Sequence, residues 1–193
     1  MKILIDLGHG GKDSGAVNGS LYEKNVVLEI GKELKKHLDN HKCEVKFTRL
    51  EDKFLTLRQR SNMSKGYDFV LSIHNNASTN KSAKGFQTYI YTKASKKSLE
   101  MANKIQSELD SFFPRTKWSG VKRANLHMVR ETKCPAVLVE CGFISNKEDK
   151  IVLQNQVNDI AHALARGLVF GLNIKGKWCF TWNIANYHTI KIY

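Results

Sequence analysis

The sequence predicts an α/β layer fold built on a largely parallel sheet. Short runs at residues 3–5, 67–73 and 136–139, apolar but for Asp68 and Ser72 in the second, read as strands buried on both faces. Between them lie segments with apolar residues at helical spacing, and strand–helix alternation is the pattern of such folds. The first and third of these runs end in His9 and Glu140 respectively, and the second in His74.

Residues 3–5 lead into Asp6-Leu7-Gly8-His9-Gly10-Gly11, a strand entering a glycine-rich turn. Val26, Ile30, Leu34 and Leu38 recur every four residues, which predicts an amphipathic helix over 22–39, and Ser20-Leu21-Tyr22-Glu23 has the form of a capping box at its start. A strand is expected at 43–48 and a helix at 54–65. In 85–91, Phe86, Thr88 and Ile90 alternate with Gln87, Tyr89 and Tyr91, the mark of a half-exposed strand. A helix is expected over 99–113, a basic loop over 114–125, a short edge strand at 126–129, and a closing helix over 157–172. Residues 176–193 read as strand, turn, strand, too short for a core of their own.

Composition narrows the class but not the partner. A hydrophobic fraction of 41% and a charged fraction of 25% are those of an ordinary globular chain, and no apolar stretch approaches the roughly 20 residues needed to span a bilayer. The 31 basic and 18 acidic residues give a net charge of +13, a surface that favours polyanions: nucleic acid, anionic lipid or an anionic wall polymer. A lysine-rich solvated surface explains the same number. Cys43, Cys134, Cys141 and Cys179 form no Cys-x-x-Cys pair and read as reduced, mostly buried residues. Three apolar residues before Asp6 are too few for a signal-peptide core, so synthesis in a cytoplasm is expected.

In open α/β sheets the reactive groups gather beyond the carboxyl ends of the strands. His9, His74 and Glu140 each follow a buried run, so their convergence on one sheet edge is a geometric expectation. Two imidazoles with a carboxylate suggest zinc, whose catalytic sites take three N/O ligands and leave a position for water. A single histidine after a strand is more often a hydrogen-bonded structural residue; two in equivalent positions shift that balance. The third ligand is open: Glu23 is one candidate, His127 another, and spacing alone does not choose. Asp6 is placed either to orient His9 through its second ring nitrogen or only to cap the turn. Cys141 beside Glu140 is a rival nucleophile of the cysteine–histidine type, though a cysteine at an apolar strand end usually packs. The glycine turn lacks both the dinucleotide and the Walker patterns, because Asp13 stands where each needs another residue.

The motifs Asp6-Leu7-Gly8-His9-Gly10-Gly11-Lys12-Asp13-Ser14-Gly15-Ala16, Glu23-Lys24, Thr48-Arg49, Leu57-Arg58-Gln59-Arg60, Ser72-Ile73-His74-Asn75-Asn76-Ala77 and Val139-Glu140-Cys141-Gly142-Phe143-Ile144-Ser145-Asn146 occur in that order. Together, over about residues 2–172, they resemble the zinc-dependent N-acetylmuramoyl-L-alanine amidases, of endolysin or autolysin type, which cut bacterial peptidoglycan. The resemblance implies a twisted mixed sheet of about six strands flanked by helices on both faces. It also implies zinc (Zn2+) on His9, Glu23 and His74, with Glu140 catalytic, and so selects Glu23 over His127. Leu7 stands where the family often has proline. The implied layout is a catalytic domain over 1–173 and an aromatic-rich tail over 174–193, a possible hairpin or remnant of a wall-binding module. The implied partner is peptidoglycan, with anionic wall polymers as a further candidate and no nucleic acid. A phage lysin or mother-cell autolysin acting on the bacterial wall fits a chain without a secretion signal. The basic loop 115–123 with Trp118 and the polar loop 75–84 are the candidate walls of a substrate groove.

Overall fold

A computed structural model describes residues 1–176. Its six-stranded sheet has the order β4-β1-β5-β8-β6-β7, where β1 is Lys2–Leu7, β4 Glu44–Phe47, β5 Phe69–Asn76, β6 Gln87–Tyr91, β7 Gly120–Ala124 and β8 Ala136–Phe143. All neighbouring pairs are parallel except β6 with β8, so the sheet is mixed and mostly parallel, as expected. A small hairpin of β2 (Val17–Asn18) and β3 (Leu21–Tyr22) leads directly into helix α1 (Glu23–Leu38).

Successive side chains of a strand face opposite ways, and here that alternation sorts the apolar residues into two cores. Ile3, Ile5, Leu7, Leu71, Ile73, Val137, Val139 and Cys141 pack beneath α1, α3 (Lys96–Phe112) and α6 (Val157–Gly171). Leu4, Val70, Ala136 and Leu138 form the smaller core on the other face with Met128 and Val129 of α4 (His127–Arg130). Helices thus cover both faces. The three strands β1, β5 and β8 are protected on both sides, which explains the apolar runs Ile3–Ile5, Phe69–Leu71 and Ala136–Val139 in them.

Four local expectations are corrected. The first concerns α1, which begins without a side-chain cap: its N-cap is Tyr22, and the Glu23 carboxylate turns inward instead of back to Ser20. The second concerns residues 126–129, which wind into α4; the edge strand is β7, inside the segment read as a loop. Its Lys122 and Arg123 are residues that discourage further strand pairing at an open edge, and they hide the strand period. In the third, the helix expected over 54–65 forms only at α2 (Leu57–Asn62), where Thr56 and Gln59 make a reciprocal capping box. The fourth is an unexpected helix, α5 (Lys147–Asn155), started by Asn146, whose Oδ1 accepts from the amides of Glu148 at 2.9 Å and Asp149 at 3.2 Å. With few apolar residues, α5 leaves little amphipathic signature.

The end of the described chain is tied down, since Lys42 N donates to Lys175 O at 2.7 Å and Ile174 joins the main core. The strand–turn–strand expected of the tail falls almost wholly outside the described residues. Among the described residues, no helix is long and apolar enough to cross a membrane.

Candidate metal centre

The site is assembled where β1, β5 and β8 end. After Leu7 the backbone turns through Gly8, His9, Gly10 and Gly11, and His9 takes φ 58°, a left-handed conformation that costs a non-glycine residue energy. Two buried arginines hold this turn. Arg49 donates to the carbonyls of Leu7 (3.0 Å), Gly8 (2.7 Å) and Lys24 (2.8 Å). Arg60 donates to the carbonyls of Leu7 and His9 and forms an ion pair with Asp6 at 2.9 Å. Gly8 has to be glycine, because a Cβ there would lie 2.3 Å from Cε1 of His74.

Of the two roles open to Asp6, the structure gives it the one at the turn and not the one on His9. Fully buried, it accepts from Arg60, from Thr48 Oγ1 at 3.0 Å and from Ser72 Oγ at 2.7 Å, anchoring the turn from beneath. The carboxylate beside the outer ring nitrogen of His9 belongs to Asp13, whose Oδ2 lies 3.0 Å from Nδ1. The four-residue spacing of His9 and Asp13 was a usable signal that sequence reasoning missed.

Glu23 opens α1 and is nearly fully buried. Its Oε1 accepts from Asn75 N at 2.9 Å and its Oε2 from Ala16 N at 2.9 Å, which fixes the carboxylate plane. The same Oε1 lies 3.1 Å from His9 Nε2 and 3.1 Å from His74 Nδ1. Burial opposes ionisation of Glu23, yet hydrogen bonds from the two imidazoles hold its carboxyl far below the usual range. Burial likewise lowers His9 and His74, but the shared carboxylate outweighs it and both imidazoles titrate above their ordinary value. The rings stand nearly perpendicular, centroids 5.0 Å apart.

This arrangement fits a small divalent cation. The donor atoms of His9, Glu23 and His74 all lie within 4.8 Å of one another. Ligands at about 2.0–2.1 Å from a tetrahedral zinc sit roughly 3.3 Å apart, close to the spacing of Glu23 Oε1 from each imidazole. The donor set is of the N/O kind zinc takes, and Asp13 supplies the carboxylate that commonly orients a metal-binding histidine.

Glu140 is the in-register neighbour of His74 across β5 and β8. Its Oε2 is buried with no hydrogen-bond partner among the described residues. Burial, reinforced by the charge of Glu23 and opposed by His74 and His9, pushes its carboxyl up to about 7. Such a group exchanges protons near neutrality, as a general acid–base must. On its other side Glu140 pairs with Gln87 of β6, which accepts from Asn76 at 2.9 Å and from the Tyr89 hydroxyl at 2.7 Å.

The rival residues stand elsewhere. His127 contacts Ser61 Oγ at 3.0 Å and is not among the clustered donors. Cys141 points away from Glu140 into the main core; it is fully buried, and that burial pushes its thiol well up, the environment of an inert cysteine. Of the two expected groove walls, the 75–84 loop borders a cleft of about 730 Å³ with α5, whereas Trp118 lends its carbonyl to Gln87 Nε2.

A mixed α/β sheet carrying two imidazoles, a bridging carboxylate and a neighbouring proton-exchanging carboxylate at its strand ends has the equipment of a metal-dependent hydrolase. The chain belongs to the N-acetylmuramoyl-L-alanine amidase family, whose pattern it matches over residues 3–169. It is 38% identical over 187 residues to the endolysin of Bacillus phage SPP1, covering 91% of this chain and 67% of that protein. To the sporulation-specific N-acetylmuramoyl-L-alanine amidase of Bacillus subtilis it is 35% identical, covering 91% of this chain and 69% of the relative. Among solved structures, the catalytic domain of CwlV from Paenibacillus polymyxa superimposes with a TM-score of 0.83 at 34% identity, covering 90% of this chain and 99% of that one.

Proposed function

We propose that this chain hydrolyses the amide bond between N-acetylmuramic acid and L-alanine in peptidoglycan, with zinc held by His9, Glu23 and His74 and Glu140 as the catalytic acid–base. The meeting of His9 Nε2 and His74 Nδ1 on one Glu23 oxygen, beside Glu140, is the observation that carries this reading. Family membership names the bond. Residues 1–173 are the catalytic unit in this account.

Zinc, when bound, supplies Lewis acidity, making a water more acidic and polarising the substrate carbonyl. The chain's own residues do the rest. Glu23 keeps its orientation through the amides of Ala16 and Asn75, so it meets a cation without rearrangement. Asp13 steadies the His9 ring from behind. Glu140 takes the proton of the attacking water as its oxygen bonds to the lactyl carbonyl carbon. The same carboxyl then returns a proton to the nitrogen of L-alanine as the amide bond breaks. Both raised imidazoles must shed their protons to bind metal, so acid competes with zinc.

The net charge of +13 supports retention on an anionic wall polymer, and the site of action is the bacterial wall, as for a phage lysin or an autolysin. Digestion of purified walls tests the reading. New N-terminal L-alanine is expected, abolished by EDTA and restored by zinc. Release of other amino termini, or activity that survives the chelator and falls to thiol alkylation, would contradict it.

A further inference from the structure

Glu140 is the residue of this site with the least to hold it. Its Oε2 has no hydrogen-bond partner among the described residues, yet an acid–base has to stay within hydrogen-bond reach of the atoms it serves. Its aim has to come from its neighbours. In the sheet it stands in register between His74 of β5 and Gln87 of β6, and in-register side chains share one face. Directly after that row the pairing of β5 with β8 shifts. His74 faces Glu140 but Asn76 faces Phe143, so Cys141 and Gly142 together oppose Asn75. Gly142 takes φ 86° in this bulge, and Asn75 Nδ2 donates to Cys141 O at 2.9 Å. A bulge re-aims the side chain beside it, here that of Glu140.

A second hydrogen bond crosses the same bulge. Asn76 and Gln87 belong to strands that flank β8 on either side, about 9–10 Å apart at the usual strand spacing. Their amides nevertheless meet at 2.9 Å. Asn76 Oδ1 accepts from Ala77 N at 2.8 Å, which leaves Nδ2 as the donor to Gln87 Oε1. Gln87 is 2% exposed and held at both ends of its amide. Its Oε1 also accepts from the Tyr89 hydroxyl at 2.7 Å, and its Nε2 donates to Trp118 O at 2.8 Å. Tyr89 packs against the smaller core, which anchors the network in the sheet. None of these hydrogen bonds ends on Glu140.

We propose that Gln87 is a positioning residue for the amide hydrolysis: bridged to Asn76 over β8 and braced by Tyr89, it fixes the bulge and with it the aim of the Glu140 carboxylate. The proposal rests on the amidase reading. Gln87 hydrogen-bonds to none of His9, Glu23 and His74 among the described residues. Its loss therefore acts on the chemical step at full metal occupancy, where a displacement of about 1 Å costs on the order of 10²-fold.

Gln87→Met keeps the length of the side chain and removes the amide. The test measures kcat and KM on a soluble muramoyl peptide, zinc per chain and Tm for the parent, Gln87→Met, Tyr89→Phe and the pair, with kinetics well below each Tm. Gln87→Met is expected to hold zinc as the parent does, to keep KM within about twofold and to lose about ten- to hundredfold in kcat. Tyr89→Phe removes one of the two donors and loses about three- to tenfold in kcat. Because Tyr89 acts through Gln87, the pair loses no more than Gln87→Met alone. An unchanged kcat in Gln87→Met, a loss carried by KM, a loss that follows zinc content, or losses that multiply in the pair would overturn the proposal. If Gln87→Met does not fold, Tyr89→Phe decides: a kcat loss at unchanged KM and zinc supports the assignment, and an unchanged kcat overturns it. A parent that releases no L-alanine would instead refute the amidase reading, and this role of Gln87 with it.

Discussion

Glu140→Gln is expected to retain zinc and lose about 10²–10⁴-fold in kcat, the usual worth of a positioned general acid–base. Glutamine keeps the size and the β8 register but cannot carry the proton from water to the leaving amine. The pH profile sharpens the test. Burial first, and then the nearby Glu23 charge, lifts the Glu140 carboxyl to about 7, and a bound cation would draw it back down. Activity should therefore climb with pH along an acid limb at or below about 7, and in Glu140→Gln the only acid limb left should be the one that tracks loss of zinc to the imidazole protons, checked by metal content at each pH. Stability gives an independent sign. An acid raised in the folded state contributes most below its ordinary value and loses that contribution as pH rises through about 7. Metal-free Glu140→Gln should thus melt above the metal-free parent at pH 8, and the advantage should shrink at pH 5.

Arg60→Met is expected to cost about 3–5 kcal/mol of stability, the penalty for leaving one member of a buried ion pair alone. For a domain of this size that is on the order of 10 °C in Tm. The substitution keeps side-chain bulk yet strands Asp6, which is wholly buried, and removes the donor to the carbonyls of Leu7 and His9. Adding Asp6→Asn should recover part of the loss, since a neutral amide tolerates the missing guanidinium. Thermal melts of the parent, both single variants and the pair form the cycle. Additive losses would mean that the two side chains do not act as a unit.

The central architecture was legible because its strands are buried on both faces. Ile3–Ile5 and Ala136–Val139 carry no polar interruption, and their ends delivered His9 and Glu140 to the same edge. Residues on half-exposed elements were harder to read. Strand β7 holds Gly120, Lys122 and Arg123 and has no apolar period, while α5 opens with Lys147, Glu148 and Asp149 and owes its start to one asparagine. The candidate metal-ligand set was only partly visible. Nothing in local spacing separates Glu23 from His127, because the choice depends on α1 starting beside the end of β5, a long-range fact. The supporting residues were hidden for the same reason. Arg49 and Arg60 lie far along the chain from the turn they hold, and Asp6 resembled a partner for His9 until the folded chain set it beneath Arg60.

The account stands on His9, Glu23 and His74 forming a single metal site that serves Glu140. Zinc content per chain, measured by plasma mass spectrometry after equilibration with zinc and exhaustive dialysis, tests this most directly when the parent, His74→Ala and Glu140→Gln are compared. One tightly held zinc in the parent and in Glu140→Gln, with none in a folded His74→Ala, is the expected result. A parent that retains no zinc, or a His74→Ala chain that binds it as tightly as the parent, would contradict the assignment.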